Sequence, residues 1–111
     1  MKLHITDIPE IMNHDGTAYK RSLIDADSNN GKLATYNYAR LAMNMILQPH
    51  EHTDGIEYYV FLEGKGKMSI DDIWTDVQPG DFVIIPVGKI HSLKNVEKKD
   101  LVFLTLRTII E

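Results

Sequence analysis

Residues Gln48 to Gly64 read Q-P-H-E-H-T-D-G-I-E-Y-Y-V-F-L-E-G, and they contain the pair of histidines on which the predicted fold depends. In an extended segment successive side chains point to opposite faces, so His50 and His52 project from the same face. A Thr-Asp-Gly turn then leads into a β-rich run, Ile56 to Leu62, in which Glu57 is placed to direct its carboxylate back at the two imidazoles. This stretch therefore predicts most of a metal site, which one further nitrogen ligand would complete.

A second stretch can supply that ligand. Residues Gly80 to Asn95 read G-D-F-V-I-I-P-V-G-K-I-H-S-L-K-N. Phe82 to Ile85 form a short apolar strand, and Pro86 ends its hydrogen-bond ladder because proline has no N–H. Gly88 can adopt a positive φ and reverse the chain, so that His91 begins the returning strand.

Over residues 44–64 and 80–95 the sequence resembles the cupin family through both of its motifs. The first motif contains two histidines separated by one residue, then a glutamate and a glycine, which here are His50, His52, Glu57 and Gly64. The second motif is matched at every position, by Gly80, Pro86, Gly88, His91 and Asn95. One position departs: a glycine usual before the first histidine is Asn44 here, and asparagine tolerates the left-handed conformation better than most residues.

The resemblance implies an all-β double-stranded β-helix, the jelly-roll barrel of cupins, and residues 1–111 are expected to form one such domain. The ligand set is expected to be His50, His52, Glu57 and His91. The absence of cysteine leaves imidazole and carboxylate as ligands, which suit Fe, Mn, Ni or Co, with Zn also possible.

Patterning in the rest of the chain agrees with a sandwich or barrel, because turn signals recur at short intervals and no long amphipathic helix is evident. The segment Glu10 to Gly16 is compatible with one helical turn or a loop, and Asp25 to Gly31 is expected to be a surface loop. The other expected strands are Lys2 to Ile8, Ala18 to Ile24, Leu33 to Leu47, Lys67 to Ile70, Ile73 to Val77 and Leu101 to Ile110.

Composition limits the classes of partner. The net charge of −4 and the lack of a Lys/Arg cluster argue against nucleic acid. The N-terminal segment lacks the apolar region of a signal peptide, and no segment approaches the length of a membrane span, so a cytoplasmic protein is expected.

The run Tyr58 to Leu62 is apolar on both faces, whereas a strand in a small barrel needs only one buried face. Tyr59 and Phe61 share the face of Glu57, and the opposite face requires a cover. A homodimer is the expected cover, and exchange of the N-terminal strand between protomers is a further hypothesis.

Several residues have two interpretations. Tyr59, Phe61, Met43 and Met45 are candidate walls of a substrate pocket, although core packing explains them equally well. Tyr36, Tyr38 and Arg40 belong either to a solvated outer face or, if the strand polarity is reversed, to the substrate site. Gln48, Thr53 and Asn95 are candidates to orient the histidines. His4 and His14 are interpreted as ordinary surface or hydrogen-bonded residues.

Two functions from different classes fit these residues. The first is a metal-dependent enzyme acting on a small oxygen-rich metabolite such as a keto or hydroxy acid or a sugar derivative, as a dioxygenase, isomerase, lyase or decarboxylase. The second is a non-catalytic cupin that binds a small ligand or a metal for sensing or structure. Tyrosines, Lys89 and Asp54 are the only obvious additional proton-transfer groups.

Overall fold

The computed structural model describes residues 1–13 and 16–109, and within them the chain forms ten β-strands and two short 3₁₀ turns. His14 and the end of the predicted closing strand at Ile110 lie outside these residues. The strands are β1 (Ile11–Met12), β2 (Tyr19–Asp25), β3 (Leu33–Leu41), β4 (Ile46–His50), β5 (Glu57–Glu63), β6 (Gly66–Ile70), β7 (Ile73–Val77), β8 (Phe82–Ile85), β9 (His91–Lys94) and β10 (Leu101–Thr108).

The strands form two antiparallel sheets, one of six strands in the order β1-β2-β3-β10-β5-β8 and one of four in the order β4-β9-β6-β7. Apolar side chains from both sheets make one buried cluster, which includes Leu41, Phe61 and Phe103 from the first sheet and Met68 and Leu93 from the second. Strand alternation places one face of each sheet against this cluster. The predicted all-β jelly-roll fold is confirmed.

The N-terminal segment differs from expectation, because Lys2 to Ile8 contains a 3₁₀ turn at Ile5–Asp7 instead of a strand. The side chain of His4 accepts a hydrogen bond from the Thr6 N–H at 3.2 Å, and the Asp7 carboxylate accepts one from the His4 N–H at 2.9 Å. This reciprocal capping satisfies local donors that an extended chain would leave to a neighbouring strand.

The prediction of one continuous strand from Leu33 to Leu47 is wrong. The strand β3 ends at Leu41, and a separate strand, β4, begins at Ile46 in the other sheet. Asn44 has the expected left-handed conformation, with φ at 67°, and its N–H donates to the Asn95 carbonyl at 2.8 Å. Periodicity alone does not detect such a corner, because the apolar alternation continues through it.

The predicted turns are confirmed at Asp71-Asp72, where φ is 49° and 66° and a tight hairpin joins β6 to β7. Gly88, with φ at 77°, reverses the chain before His91 as expected. Gly64 combines a φ of 78° with close packing, since a Cβ there would lie 2.3 Å from the Asp100 carbonyl oxygen.

Asn95 is buried, and its side chain links separate segments of the chain by hydrogen bonds. Its side-chain amide donates to the carbonyls of Leu41 and Lys99 at 3.0 and 2.9 Å, and its side-chain oxygen accepts from the Glu97 N–H at 2.9 Å. These bonds join the end of β3 to the connection between β9 and β10. The second motif therefore carries an asparagine that holds strands together.

The outer face of the six-stranded sheet is largely apolar. Ala39 is buried and points into the core, so its neighbours Tyr38 and Arg40 point to this outer face. Of the two interpretations of these residues, the outer face is therefore the correct one. Two cross-strand rows form the face, namely Tyr38–Leu104–Val60–Phe82 and Tyr36–Leu106–Tyr58–Ile84.

An ionic network anchors the segment before β1. Arg40 donates to Glu10 at 2.7 and 3.0 Å and to Asp100 at 3.1 Å, and its guanidinium lies 4.1 Å from the centroid of the Tyr19 ring.

None of the helical segments in residues 1–13 and 16–109 is long and apolar enough to cross a membrane.

Candidate metal centre

Three strands and one loop bring the four predicted ligands together. His50 is the last residue of β4 and lies opposite His91, the first residue of β9. Glu57 begins β5 in the other sheet, and His52 lies in the connection between β4 and β5. The cluster therefore forms where the two sheets meet at one end of the core.

The four side chains converge on a common centre. Each offers one ligand atom, and these atoms all lie within 4.8 Å of one another. Glu57 reaches two histidines, with Oε1 at 3.2 Å from His91 Nε2 and Oε2 at 3.4 Å from His52 Nε2. Glu57 and His91 are buried, whereas His50 and His52 are partly accessible, so the centre is open on the side of His50 and His52.

Main-chain carbonyls fix the tautomers of two histidines. His50 Nδ1 lies 2.7 Å from the Gln48 carbonyl oxygen, and His91 Nδ1 lies 3.0 Å from the Lys89 carbonyl oxygen. A carbonyl only accepts, so each Nδ1 carries the proton and each neutral ring keeps its Nε2 lone pair. Of the residues predicted to orient the histidines, Gln48 does so through its backbone carbonyl. The Asn95 side chain instead makes the structural hydrogen bonds described above.

The four ligand groups are suited to bind a cation. In this tautomer the Nε2 lone pair of His91 faces Glu57 Oε1, and two acceptors 3.2 Å apart attract each other only when a proton or a metal ion lies between them. Three imidazoles and one carboxylate are also the hard-to-borderline ligands that divalent transition metals accept. The cluster can therefore hold a metal ion.

Electrostatics favour the ligating forms of Glu57 and His52. Burial raises the pKa of Glu57, but a hydrogen bond from protonated His91 and the positive charges that His52 and His91 carry when protonated outweigh burial and set its pKa below the usual value. Burial lowers the pKa of His52 more than Glu57 raises it, and the charge of Arg107 lowers it further. Near neutral pH, Glu57 is thus a carboxylate and His52 a neutral imidazole.

A cavity of about 430 Å³ opens beside the cluster. On its wall the register of β3, β10 and β5 produces three parallel rows. These rows are Thr35–Arg107–Glu57, then Asn37–Thr105–Tyr59, then Ala39–Phe103–Phe61. Polarity falls from row to row away from the cluster, so the cavity has a charged end and an apolar floor.

The predicted pocket residues occupy different places. Tyr59 lines the cavity, and its ring stacks on Phe61, which is buried one row further into the core, with centroids 6.0 Å apart. Met43 is 48% exposed in the turn between β3 and β4. Met45 packs against the core, and its sulfur accepts the Ala42 N–H at 3.2 Å.

Sequence reasoning missed the polar wall formed by Thr35, Asn37, Thr105 and Arg107. A signal for Arg107 was available, because it is the only charged residue in the strand L-V-F-L-T-L-R-T and shares the parity of the buried Phe103. Of the predicted proton-transfer groups, Lys89 pairs with Asp71 at 2.9 Å and Asp54 lies 3.2 Å from Arg107 Nε.

Comparison with known proteins agrees with this fold. The family model described as a cupin domain matches residues 39–107, which include all four candidate ligands. The chain belongs to the cupin family.

Among curated proteins, an oxalate-binding protein of Thermotoga maritima is 32% identical over 81 residues, covering 68% of this chain and 67% of that protein. An uncharacterized protein of Methanocaldococcus jannaschii is 36% identical over 47 residues, covering 42% of this chain. The match spans only 38% of the length of the Methanocaldococcus protein.

Among solved structures, a predicted oxalate decarboxylase from Thermotoga maritima superposes with a TM-score of 0.89 at 22% identity. The alignment covers 99% of this chain and 100% of that one. At this identity the likeness establishes the fold.

Proposed function

We propose that this chain is a metal-dependent cupin that holds one divalent transition metal through His50, His52, Glu57 and His91 and acts on a small oxygen-rich acid. The observation that carries the proposal is the convergence of four ligand atoms within 4.8 Å beside a cavity of about 430 Å³. A cavity of this size accommodates a small metabolite. Keto and hydroxy acids are the favoured class, with sugar derivatives as a broader possibility.

The charge of the ligand set explains the preference for acids. Three neutral imidazoles and one carboxylate around a divalent ion leave a net charge near +1, and a six-coordinate metal would keep adjacent positions for two ligand oxygens. When bound, the metal would supply Lewis-acid polarisation of a carbonyl or carboxylate and, if it is iron, reactivity toward oxygen. Fe, Mn, Ni, Co and Zn are all compatible with these ligands.

The chain's own residues would position the substrate. The main-chain carbonyls of Gln48 and Lys89 hold two imidazoles in place, so the ligand geometry exists before metal and substrate arrive. The buried ring of Tyr59 lines the cavity next to Glu57 and makes this part of its wall aromatic. The burial of Tyr59, reinforced by the neighbouring charge of Glu57, raises its pKa well above the usual value, so its phenol stays protonated and can donate.

A non-catalytic binder is the second candidate, and two observations favour it. The matched Thermotoga relative is an oxalate-binding protein. In addition, Lys89, one of the groups predicted to transfer protons, is engaged in an ion pair with Asp71. The metal could then serve to hold an acid without turning it over.

Metal analysis and a ligand screen separate these functions. Protein purified without chelators would be analysed for bound elements, then mixed with small keto, hydroxy and dicarboxylic acids while oxygen uptake and product formation are followed. Substrate-dependent uptake with iron indicates an oxygenase, and product without uptake indicates an isomerase, lyase or decarboxylase. Saturable binding without product indicates the binder, and a protein that takes up none of the five metals contradicts the proposal.

We also propose that a second copy of the chain covers the outer face of the six-stranded sheet. Phe82 and Ile84 are 58% and 52% exposed, and Tyr58 stacks on Phe82 with ring centroids 5.8 Å apart. The face is continuous across four neighbouring strands and is mainly apolar and aromatic, as the buried centres of homodimer interfaces are. An isologous dimer would bury this face on both copies.

A further inference from the structure

Arg107 is a cation in direct contact with the candidate metal centre. It lies opposite Glu57 in the register of β10 and β5, and both side chains face the cavity. Its Nη1 is 2.8 Å from His52 Nδ1 and 3.2 Å from His52 Nε2. Its side chain is only 19% exposed, so this charge is largely removed from solvent.

The guanidinium is poorly satisfied for a buried charge. Its Nε is sealed from solvent and has no hydrogen-bond partner among the described residues. Asp54 approaches this atom at 3.2 Å outside hydrogen-bonding geometry, and the Asp54 side chain is itself 52% exposed. A half-solvated carboxylate compensates a buried cation only weakly, so Arg107 retains donors for a further anion.

The contact with His52 does not use those donors once His52 binds a metal. A histidine that ligates through Nε2 carries its proton on Nδ1, and Arg107 is always a donor. Two donors 2.8 Å apart repel each other, so the guanidinium would turn from His52 toward the cavity. The cavity is therefore where its donors would find a partner.

The surroundings of Arg107 suit a carboxylate. Thr35 lies opposite Arg107 on β3, and Asn37 and Thr105 form the next polar row. Lys20 lines the same cavity and adds a second cation on this wall. The fork of an arginine matches the two oxygens of a carboxylate, and the neighbouring hydroxyl and amide groups can complete its hydrogen bonds.

We propose that Arg107 is a specificity residue that binds the second carboxylate of a small dicarboxylic acid, while the first carboxylate is held at the metal. This inference rests on the proposed metal site and narrows its substrate class. Monocarboxylic acids of equal size would leave the guanidinium without its anionic partner and would bind more weakly.

The test compares diacids with their monoamides, which keep the shape and remove one charge. Metal-loaded protein would be titrated calorimetrically with oxalate, malonate and succinate and with oxamate, malonamate and succinamate. The diacid with the highest affinity should bind about 10- to 100-fold more tightly than its monoamide. Arg107→Gln should abolish this ratio, Arg107→Lys should retain part of it, and Lys98→Gln, which removes an exposed charge outside the cavity lining, should leave it unchanged.

The affinity of every variant for the metal alone would also be measured, because it separates the role of Arg107 from the proposed metal site. Failure of the unaltered chain to bind metal would remove both proposals. Normal metal binding with equal affinity for diacid and monoamide, or with the ratio unchanged in Arg107→Gln, would overturn the role of Arg107 alone. If Arg107→Gln unfolds, the partial ratio in Arg107→Lys decides the question.

Discussion

Arg107 and Glu57 lie directly opposite each other on β10 and β5, and both face the same cavity. A permanent cation and a carboxylate thus share one wall, where Arg107 contacts His52 and Glu57 contacts His52 and His91. The carboxylate belongs to the candidate metal set, and the cation remains available to a ligand. The proposed function uses this pairing, with Glu57 as a ligand of the metal and Arg107 as the partner of an anion.

Replacing Glu57 with Gln should weaken metal binding by more than about 10- to 100-fold, the range typical for loss of an outer-shell partner. The change removes the negative charge that two histidines face at 3.2 and 3.4 Å. Competition with a chromophoric chelator would measure the dissociation constant. Glu63→Gln, an exposed change at the other end of β5, is the control. An unchanged constant in Glu57→Gln would place Glu57 outside the ligand set.

The outer face makes a prediction about assembly. Sedimentation should show a dimer, and Ile84→Lys should shift it to a monomer because the new charge would be buried at the interface. The monomer itself should tolerate the change, since Ile84 is 52% exposed in the isolated chain. The matched control is Ile73→Lys, at a 72% exposed position on β7. A monomeric parent protein at micromolar concentration, or an Ile84→Lys dimer, would contradict this assignment.

Much of this structure was predictable from local rules. The turns at Asp71-Asp72 and Gly88 have conformations that follow from residue type, and the two motifs bring four ligands to one end of the fold. The corner at Asn44 was not predictable as a change of sheet, because the alternation of apolar residues continues through it. The N-terminal turn depends on side-chain capping by His4, which strand propensity does not describe.

The polar wall escaped prediction for a different reason. Arg107 reaches Glu57 only through the pairing of β10 with β5, and the chain separates these residues by most of its second half. A single sequence gives the parity of each strand but not its neighbours. The four ligands, which lie in two short motifs, were therefore predicted. The polar wall was missed because it depends on the order of the strands in the sheet.

Asn95 should matter for stability and not for metal binding. Asn95→Ala would leave the Leu41 and Lys99 carbonyls and the Glu97 N–H without their partner, at a cost of about 2 to 4 kcal/mol. Chemical denaturation would measure this loss, and elemental analysis should show an unchanged metal content at temperatures where the variant is folded. A stable variant that has lost its metal would instead make Asn95 part of the site.

Glu10 should contribute stability that depends on pH. The hydrogen bond from Arg40 is the main cause that sets the pKa of Glu10 below its ordinary value of 4.5, against a smaller opposing effect of burial. A carboxyl whose pKa is lowered on folding stabilises above its unfolded value, and the contribution is lost as the pH falls through the folded value.

At pH 7 Glu10→Gln should therefore lower the free energy of unfolding by about 0.5 to 1 kcal/mol, a modest effect because the Glu10 side chain is 24% exposed. The difference between the two proteins should shrink as the pH falls below 4.5. Parallel denaturation curves at pH 7 and at acidic pH would measure it, with Glu63→Gln as the control. A difference that stays constant across this range would assign it to packing rather than charge.

The most direct test of the central claim is the metal content of His52→Ala. His52 is partly accessible and lies in a loop, so its loss should leave the fold intact. After loading and removal of free metal, elemental analysis should find one divalent ion per chain in the unaltered protein and in His4→Ala, and a strongly reduced content in His52→Ala with an unchanged unfolding midpoint of the metal-free protein. A full complement of metal in His52→Ala, or none in the unaltered chain, would contradict the account.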